Sequence, residues 1–377
     1  MRILPLALIL AAVLPLSAQA ITIKTIPPKT QAACKNQAAE QIDLLFVLDT
    51  TGSMGGLIQG AKTKIWRIVN DVMQNQRCGA DVRVGLIGYR DKDDEYVTRR
   101  VNLNQDLDEV YAELMAFKAA GGGDEPEHVR LALHEGVNQM NWRANSKKVL
   151  FLVGDAPPKD SYIETPSVNH TAQKAKQKGI IINTLLAGDS KSTAKVWQSV
   201  AQYGGGEYFT IPQDGGGSVA VTTPYDDQLS TLSGQLDQVY LPYGDRQVRH
   251  AAVAKSASKL SSIAAAPKEA QAERSINKSI NKQAYSQDDF VQSIENGKVK
   301  LDSIDSKQLP DNMQAMSASE RQRYVEAQIQ KRQQLKQEIA QVSKQREDYL
   351  QNNRQQDIKQ GDSFDTAVSR ALSKQLQ

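Results

Sequence analysis

Apolar positions follow two rhythms through the first part of the chain. IDLLFVL (42–48) and KKVLFLV (147–153) are nearly unbroken apolar runs, as expected of strands covered on both faces. DVRVGLIGYR (81–90), GIIINTLLA (179–187) and GEYFTI (206–211) read as further strands, and VTRRVNL (97–103) as a shorter, more polar edge strand. Between the strands the spacing turns helical. From about Gly55 to Asn75, the residues Leu57, Ile58, Ala61, Ile65, Ile68, Val69 and Val72 share one face. Further helices are predicted near 107–118, 126–139 (with Pro126 in the first turn), 168–178, 192–203 and 222–241. Strands alternating with helices need crossover connections and a mostly parallel sheet. The predicted fold class is a doubly wound, Rossmann-like α/β domain over 42–245, with ligands sited beyond the carboxyl ends of the strands.

After about Asp245 the pattern changes. Gln, Lys, Ser and Ala dominate and no buried-strand run recurs. Residues 246–316 read as a linker or loosely helical segment, and 317–377 as a helical C-terminal region. Within the latter, 317–350 predicts one long helix opened by a capping box of Ser317 and Glu320. Its apolar stripe, Val325, Ile329, Leu335, Ile339, Val342 and Tyr349, is thin and broken at Arg332 and Arg346. That is too ragged for a coiled coil. Limited proteolysis is expected to release a compact fragment ending near residue 245.

The amino terminus changes the picture of compartment. Residues 1–20 combine Arg2, the apolar run Ile3 to Leu16, and the small-residue site Ala18-Gln19-Ala20, which together read as a cleaved signal peptide. Residues 21–41 form a lead-in. No later run reaches the ~20 apolar residues of a spanning helix, so the mature protein is expected to be periplasmic or secreted. The chain has two cysteines. In an oxidising compartment, pairing of Cys34 with Cys78 is favoured over two separate buried thiols. The formal charge of +3 is too small to argue for nucleic acid. It is unevenly spread: residues 246–377 carry 22 Lys/Arg and 16 Asp/Glu, which marks a boundary rather than a ligand.

Candidate chemistry sits at the strand ends. In DTTGS (49–53), Asp49, Thr51 and Ser53 alternate as the chain leaves a strand. This spacing can aim three oxygens into one concavity, suited to a hard divalent cation such as Mg²⁺ (or Mn²⁺ or Ca²⁺). A helix cap is the plainer reading. GGGDEPE (121–127) and GDAPPKD (154–160) bring Asp124 and Asp155 to the same sheet edge, and uncompensated acids so close require a cation.

On these residues the chain resembles the von Willebrand factor type A family. DTTGS matches that family's metal-ion-dependent adhesion motif, Asp155 matches the acid after its fourth strand, and 42–241 follows its order of elements. GYRD (88–91) and GGGDEPE resemble the branch found in hemicentins and some kinase-linked proteins. The C-terminal sequence resembles the tail of exported bacterial proteins carrying this domain. The resemblance implies metal ligation by Asp49, Thr51, Ser53 and Asp155. Where many members supply a threonine from the second loop, this chain offers Asp124, directly or through water, with Glu125 beside it.

RDKDDE (90–95) reads as a solvated loop, with Asp91 as a candidate rim residue together with Glu125. His134-Glu135 lacks the second histidine of a zinc-protease helix, and the glycine runs at 204–206 and 215–217 lack a phosphate-loop lysine. The reading adopted is a non-enzymatic, exported binding module that captures a partner protein's Asp or Glu through a divalent cation. The alternatives are a metal-dependent hydrolase, with Glu125 or Asp91 as base, and an envelope scaffold acting through its helical tail.

Overall fold

The computed structural model describes residues 39–76, 79–123, 126–216, 222–353 and 363–376. The signal-peptide reading of 1–20, both cysteines, Asp124 and Glu125 therefore lie outside the described residues.

Six strands form one sheet: β1 (Glu40–Asp49), β2 (Ala80–Tyr89), β3 (Thr98–Asn104), β4 (Lys147–Gly154), β5 (Ile180–Ala187) and β6 (Gly205–Ile211), in the order β3-β2-β1-β4-β5-β6. All neighbours are parallel except β2 and β3. The reversal of direction between β1–β2 and β1–β4 is the switch point of a doubly wound sheet.

The apolar runs make this arrangement stable because both faces are covered. Leu44, Phe46 and Leu48 of β1 point into one core with α1 (Gly55–Asn75) and α2 (Leu107–Ala116). Leu45 and Val47 point into the other, with α3 (Val129–Asn138), α4 (Val168–Gln177) and α5 (Lys191–Gly204). Every residue from Ile42 to Asp49 is buried, so the strand that delivers the candidate site cannot shift without disrupting both cores.

The region beyond the sheet departs from the sequence reading. After α6 (Asp226–Asp237) come α7 (Arg246–Ala264), α8 (Lys268–Ile280) and the short α9 (Phe290–Glu295), followed by the long α10 (Ala318–Asn353) and α11 (Phe364–Gln375). The segment read as a linker or loosely helical stretch is helical, and α8 is wedged between α1, α6 and α10. Its small and polar residues are inside: Ala270, Ala272 and Ser275 are fully buried, and Arg274 pairs with Asp108 and Asp237. Burial here runs on ion pairs and small side chains, which hydrophobic periodicity does not register. α11 packs on α1 and the β5–β6 side of the sheet, with the Phe364 ring 6.1 Å from that of Phe46. Among the described residues no helix is long and apolar enough to cross a membrane.

This packing reverses the proteolysis expectation. Trypsin acting on the native chain is expected to leave the bonds after Arg274 and Lys278 intact, because both side chains are buried in ion pairs. Rapid cutting there, detected by mass spectrometry, would mean that α8 is not docked.

Candidate functional site

The carboxyl edge of the central strands gathers three loops. β1 ends in Asp49, whose residue is fully buried. Its Oδ1 accepts hydrogen bonds from the Thr51 amide (2.9 Å) and the Thr51 hydroxyl (2.7 Å). Thr51 Oγ1 lies 3.4 Å from the exposed Ser53 Oγ. No side-chain cap hydrogen bond is made at the start of α1 or of the 3-10 turn Gly52–Met54 before it. The hydroxyls of DTTGS are therefore not occupied as helix caps, which removes the plainer reading.

Asp49 Oδ2 is buried with no hydrogen-bond partner among the described residues. The Tyr89 hydroxyl stands nearby, but it donates to the Val153 carbonyl at 3.2 Å. Burial pushes the Asp49 carboxyl up to about 7, with the charge of Asp155 adding to it and the hydrogen bonds from Thr51 and the nearby Tyr89 hydroxyl opposing it. The same setting raises the Tyr89 hydroxyl well above its ordinary value, through burial and then the neighbouring carboxylates. A carboxylate held dry and unpaired is costly unless a cation joins it.

Asp155 follows β4 on the third loop. Its Oδ2 accepts from the Gln213 side-chain amide at 2.7 Å, and the Thr193 hydroxyl donates to its carbonyl at 2.8 Å. Gln213 also reaches the Ser53 carbonyl at 3.4 Å. Gln213 therefore ties the first and third loops together. Nothing in its local sequence marked it, since it acts through residues 160 and 58 positions away.

The second loop is held by backbone contacts. Arg90 donates to the carbonyls of Thr50 (3.2 Å) and Lys118 (2.7 Å), and Gly52 N donates to Gly121 O at 3.2 Å. Gly121 and Gly122 both have positive φ, 77° and 73°. A Cβ at Gly121 would lie 1.9 Å from Asp94 Oδ1, and one at Gly122 would lie 2.8 Å from the Thr51 Cβ. The glycine run is thus required by backbone conformation and by close approach together.

The structure changes the reading of two acids in this region. α3 starts at Val129, three residues later than the sequence suggests, with His128 Nδ1 accepting from Leu131 N as its cap. Glu127 is thereby left in the loop, 2% exposed, bridged to Pro158, with Oε2 unpaired among the described residues. Burial pushes its carboxyl up to about 8, and the charges of Asp49, Asp91, Asp94 and Asp155 add to the rise. Sequence reasoning missed it because a helix starting at 126 makes Glu127 a first-turn acid, which reads as a partner for the helix dipole. Asp91, expected on an open rim, is instead buried. It accepts from the Tyr162 hydroxyl (2.6 Å) and pairs with Lys159 (3.0 Å). Burial opposes its ionisation, but those two donors hold it below the usual carboxylate range.

Asp49, Thr51, Ser53 and Asp155 lie on loops at the carboxyl edge of β1 and β4. They present two carboxylates and two hydroxyls, a hard oxygen set with an orphaned anionic oxygen at its buried end. This suits a small divalent cation. Among the described residues no group of three or more His, Cys, Asp or Glu side chains is arranged as a metal cluster, so such a site depends on its hydroxyls.

The family model for the von Willebrand factor A domain matches residues 43–224. The alpha-protein kinase vwkA of Dictyostelium discoideum is 32% identical over 125 residues, covering 32% of this chain and 19% of that protein. The von Willebrand factor A domain-containing protein 7 of Rattus norvegicus is 35% identical over 123 residues, covering 32% of this chain and 12% of its own. The match therefore spans a fifth or less of each of these relatives. Among solved structures, the conserved hypothetical protein BatB from Bacteroides thetaiotaomicron is similar over 45% of this chain and 90% of its own, at 14% identity and a TM-score of 0.36. The SpRpn10 VWA domain is similar over 47% and 89%, at 12% identity and a TM-score of 0.35.

Proposed function

Residues 43–224 form a von Willebrand factor A domain, and from that premise we propose that the protein is an exported, non-enzymatic binding module that captures a protein partner through a divalent cation. Domains of this type often mediate protein–protein interaction. The single observation that carries the metal reading is Asp49 Oδ2, buried and without a hydrogen-bond partner among the described residues, close to the Thr51 and Ser53 hydroxyls and to Asp155. A bound Mg²⁺ or Mn²⁺ would supply a Lewis-acidic anchor for an anionic oxygen. Asp49, Thr51, Ser53 and Asp155 would hold it, with Gln213 orienting the Asp155 carboxylate. Ser53 is exposed at the loop edge, so the open side faces a flat partner surface, and a partner's Asp or Glu is the group of matching charge. The hydrolase alternative is weakened because Asp91, one of its two candidate bases, is committed to Tyr162 and Lys159. The amino-terminal sequence supports a periplasmic or secreted location.

Calorimetric titration of Mg²⁺ and of Mn²⁺ into the full chain tests this. Wild type is expected to give a saturable binding heat, and Asp49→Ala to lose it while keeping its far-ultraviolet circular dichroism. Identical heats for the two proteins would remove the basis of the reading.

A further inference from the structure

Charge is segregated on the surface of the sheet domain. Residues 246–377 hold 22 Lys/Arg against 16 Asp/Glu while the whole chain carries only +3, so residues 1–245 are net negative. Within that acidic part, α4 and α5 contain no Asp or Glu. The two helices cover the same face of the sheet and pack against each other. Lys174 and Lys176 of α4, Lys178 at its end, and Lys191 and Lys195 of α5 are all exposed. Across residues 168–204 the one acid is Asp189.

These cations are not matched inside the protein. Among the described residues, the ammonium groups of Lys174, Lys176, Lys191 and Lys195 make no ion pair and no hydrogen bond. Lys178 bonds only to neutral oxygens, the Val137 carbonyl at 3.2 Å and the Asn138 side chain at 2.9 Å. Burial, and then the charge of Lys174, holds Lys178 below the ordinary lysine value. Other exposed lysines face acids, as in Lys92–Glu164, Lys255–Glu109 and Lys374–Glu207. A merely solvated helix mixes both signs, as α10 does with Lys331, Glu338, Lys344 and Asp348. A face of one sign repels itself, and an external anion relieves that repulsion.

We propose that the α4–α5 face adsorbs the protein onto an anionic lipid surface. Lysine is a compact point charge on a flexible stem, which suits a diffuse field of headgroups better than fork-like recognition of one phosphate or base. The face is the outside of two packed helices, broad rather than a cleft. Tyr203, near the end of α5, is 41% exposed. Its apolar ring and polar tip match the headgroup level of a bilayer. The export expected from residues 1–20 would place the chain in a compartment bounded by membrane. Both helices flank the sheet, so adsorption leaves the carboxyl edge of β1 and β4 open and calls for no divalent cation.

The test floats the full chain, in chelator, with vesicles of phosphatidylcholine alone or with added phosphatidylglycerol, at low and at raised salt. Wild type is expected to float with the anionic vesicles alone and to be released by salt. Each lysine near such a surface is worth about fivefold in binding, so Lys191→Gln/Lys195→Gln should bind roughly twentyfold more weakly. Lys331→Gln/Lys344→Gln removes the same charge from α10 and should float as wild type does. So should Asp49→Ala, whatever the cation titration gives. No flotation of wild type, or unchanged binding in the α5 variant, would overturn the proposal. An equal loss in the α10 variant would do the same, because net charge rather than this face would then be acting. Duplex DNA that strips the protein from the vesicles at low salt would reassign the face to nucleic acid and overturn the lipid reading.

Discussion

Arg332→Ala is expected to cost about 3–5 kcal/mol of stability, the usual scale for removing one partner of a buried ion pair. Arg332 sits in the middle of α10 with no exposed surface, and Asp289, at the start of α9, has none either. The guanidinium meets both Asp289 oxygens at 3.0 and 3.2 Å, donates to the Val239 carbonyl at 3.2 Å, and lies 4.1 Å over the Tyr285 ring. Asp289 also accepts from the amides of Leu241 and Gln292. Those bonds keep its carboxylate in place after the arginine is gone, so the charge stays buried and unpaired. Adding Asp289→Asn to an Arg332→Met background should recover much of the loss, since no charge then remains to be desolvated. Urea denaturation reads both effects. A single variant within about 1 kcal/mol of wild type would mean the pair is no better than a surface ion pair.

The second large effect concerns the site itself. In the absence of divalent ions, wild type is expected to lose stability as pH rises from 5 to 8. Asp49 titrates near 7 in the folded chain against an ordinary value of 3.8. Between those values the folded state keeps a proton that the unfolded state has released. This stability is fully present below the lower value and is lost as pH climbs through the upper one. At 1.36 kcal/mol per pH unit, the Asp49 contribution between pH 5 and 8 is roughly 3 kcal/mol. Asp49→Asn keeps an acceptor for Thr51 but cannot ionise, so its profile should be flatter and its stability at pH 8 in chelator higher. Glu127, pushed up to about 8 partly by the charge of Asp49, acts in the same direction, and the difference between the two proteins reads Asp49 together with that coupling. Mg²⁺ should stabilise wild type more at pH 8 than at pH 5 and leave Asp49→Asn unmoved. Equal slopes for the two proteins in chelator would show that burial does not raise the Asp49 carboxyl.

Hydrophobic pattern by itself determined the sheet. The runs at 42–48 and 147–153 admit no polar face, so their strands had to be central and covered on both sides. Alternation with helices then required parallel pairing and placed DTTGS and Asp155 on one edge. That much comes from local periodicity and chain connectivity, which a sequence displays directly.

Only the tertiary structure decided the rest, because the deciding partners are far apart in the chain. Arg332 and Arg346 looked like breaks in the α10 stripe. Each is instead buried against acids, Arg346 meeting Asp226 from 120 positions away. Helix α8 looked like a linker or loosely helical stretch because its burial runs through Arg274 to Asp108, 166 positions distant. Glu127 was legible as an acid near a helix start, but its position off the helix depends on its bridge to Pro158. Periodicity registers the burial of apolar side chains within one element. A polar side chain is buried only when a partner from another element satisfies it, and which partner arrives is settled by the fold.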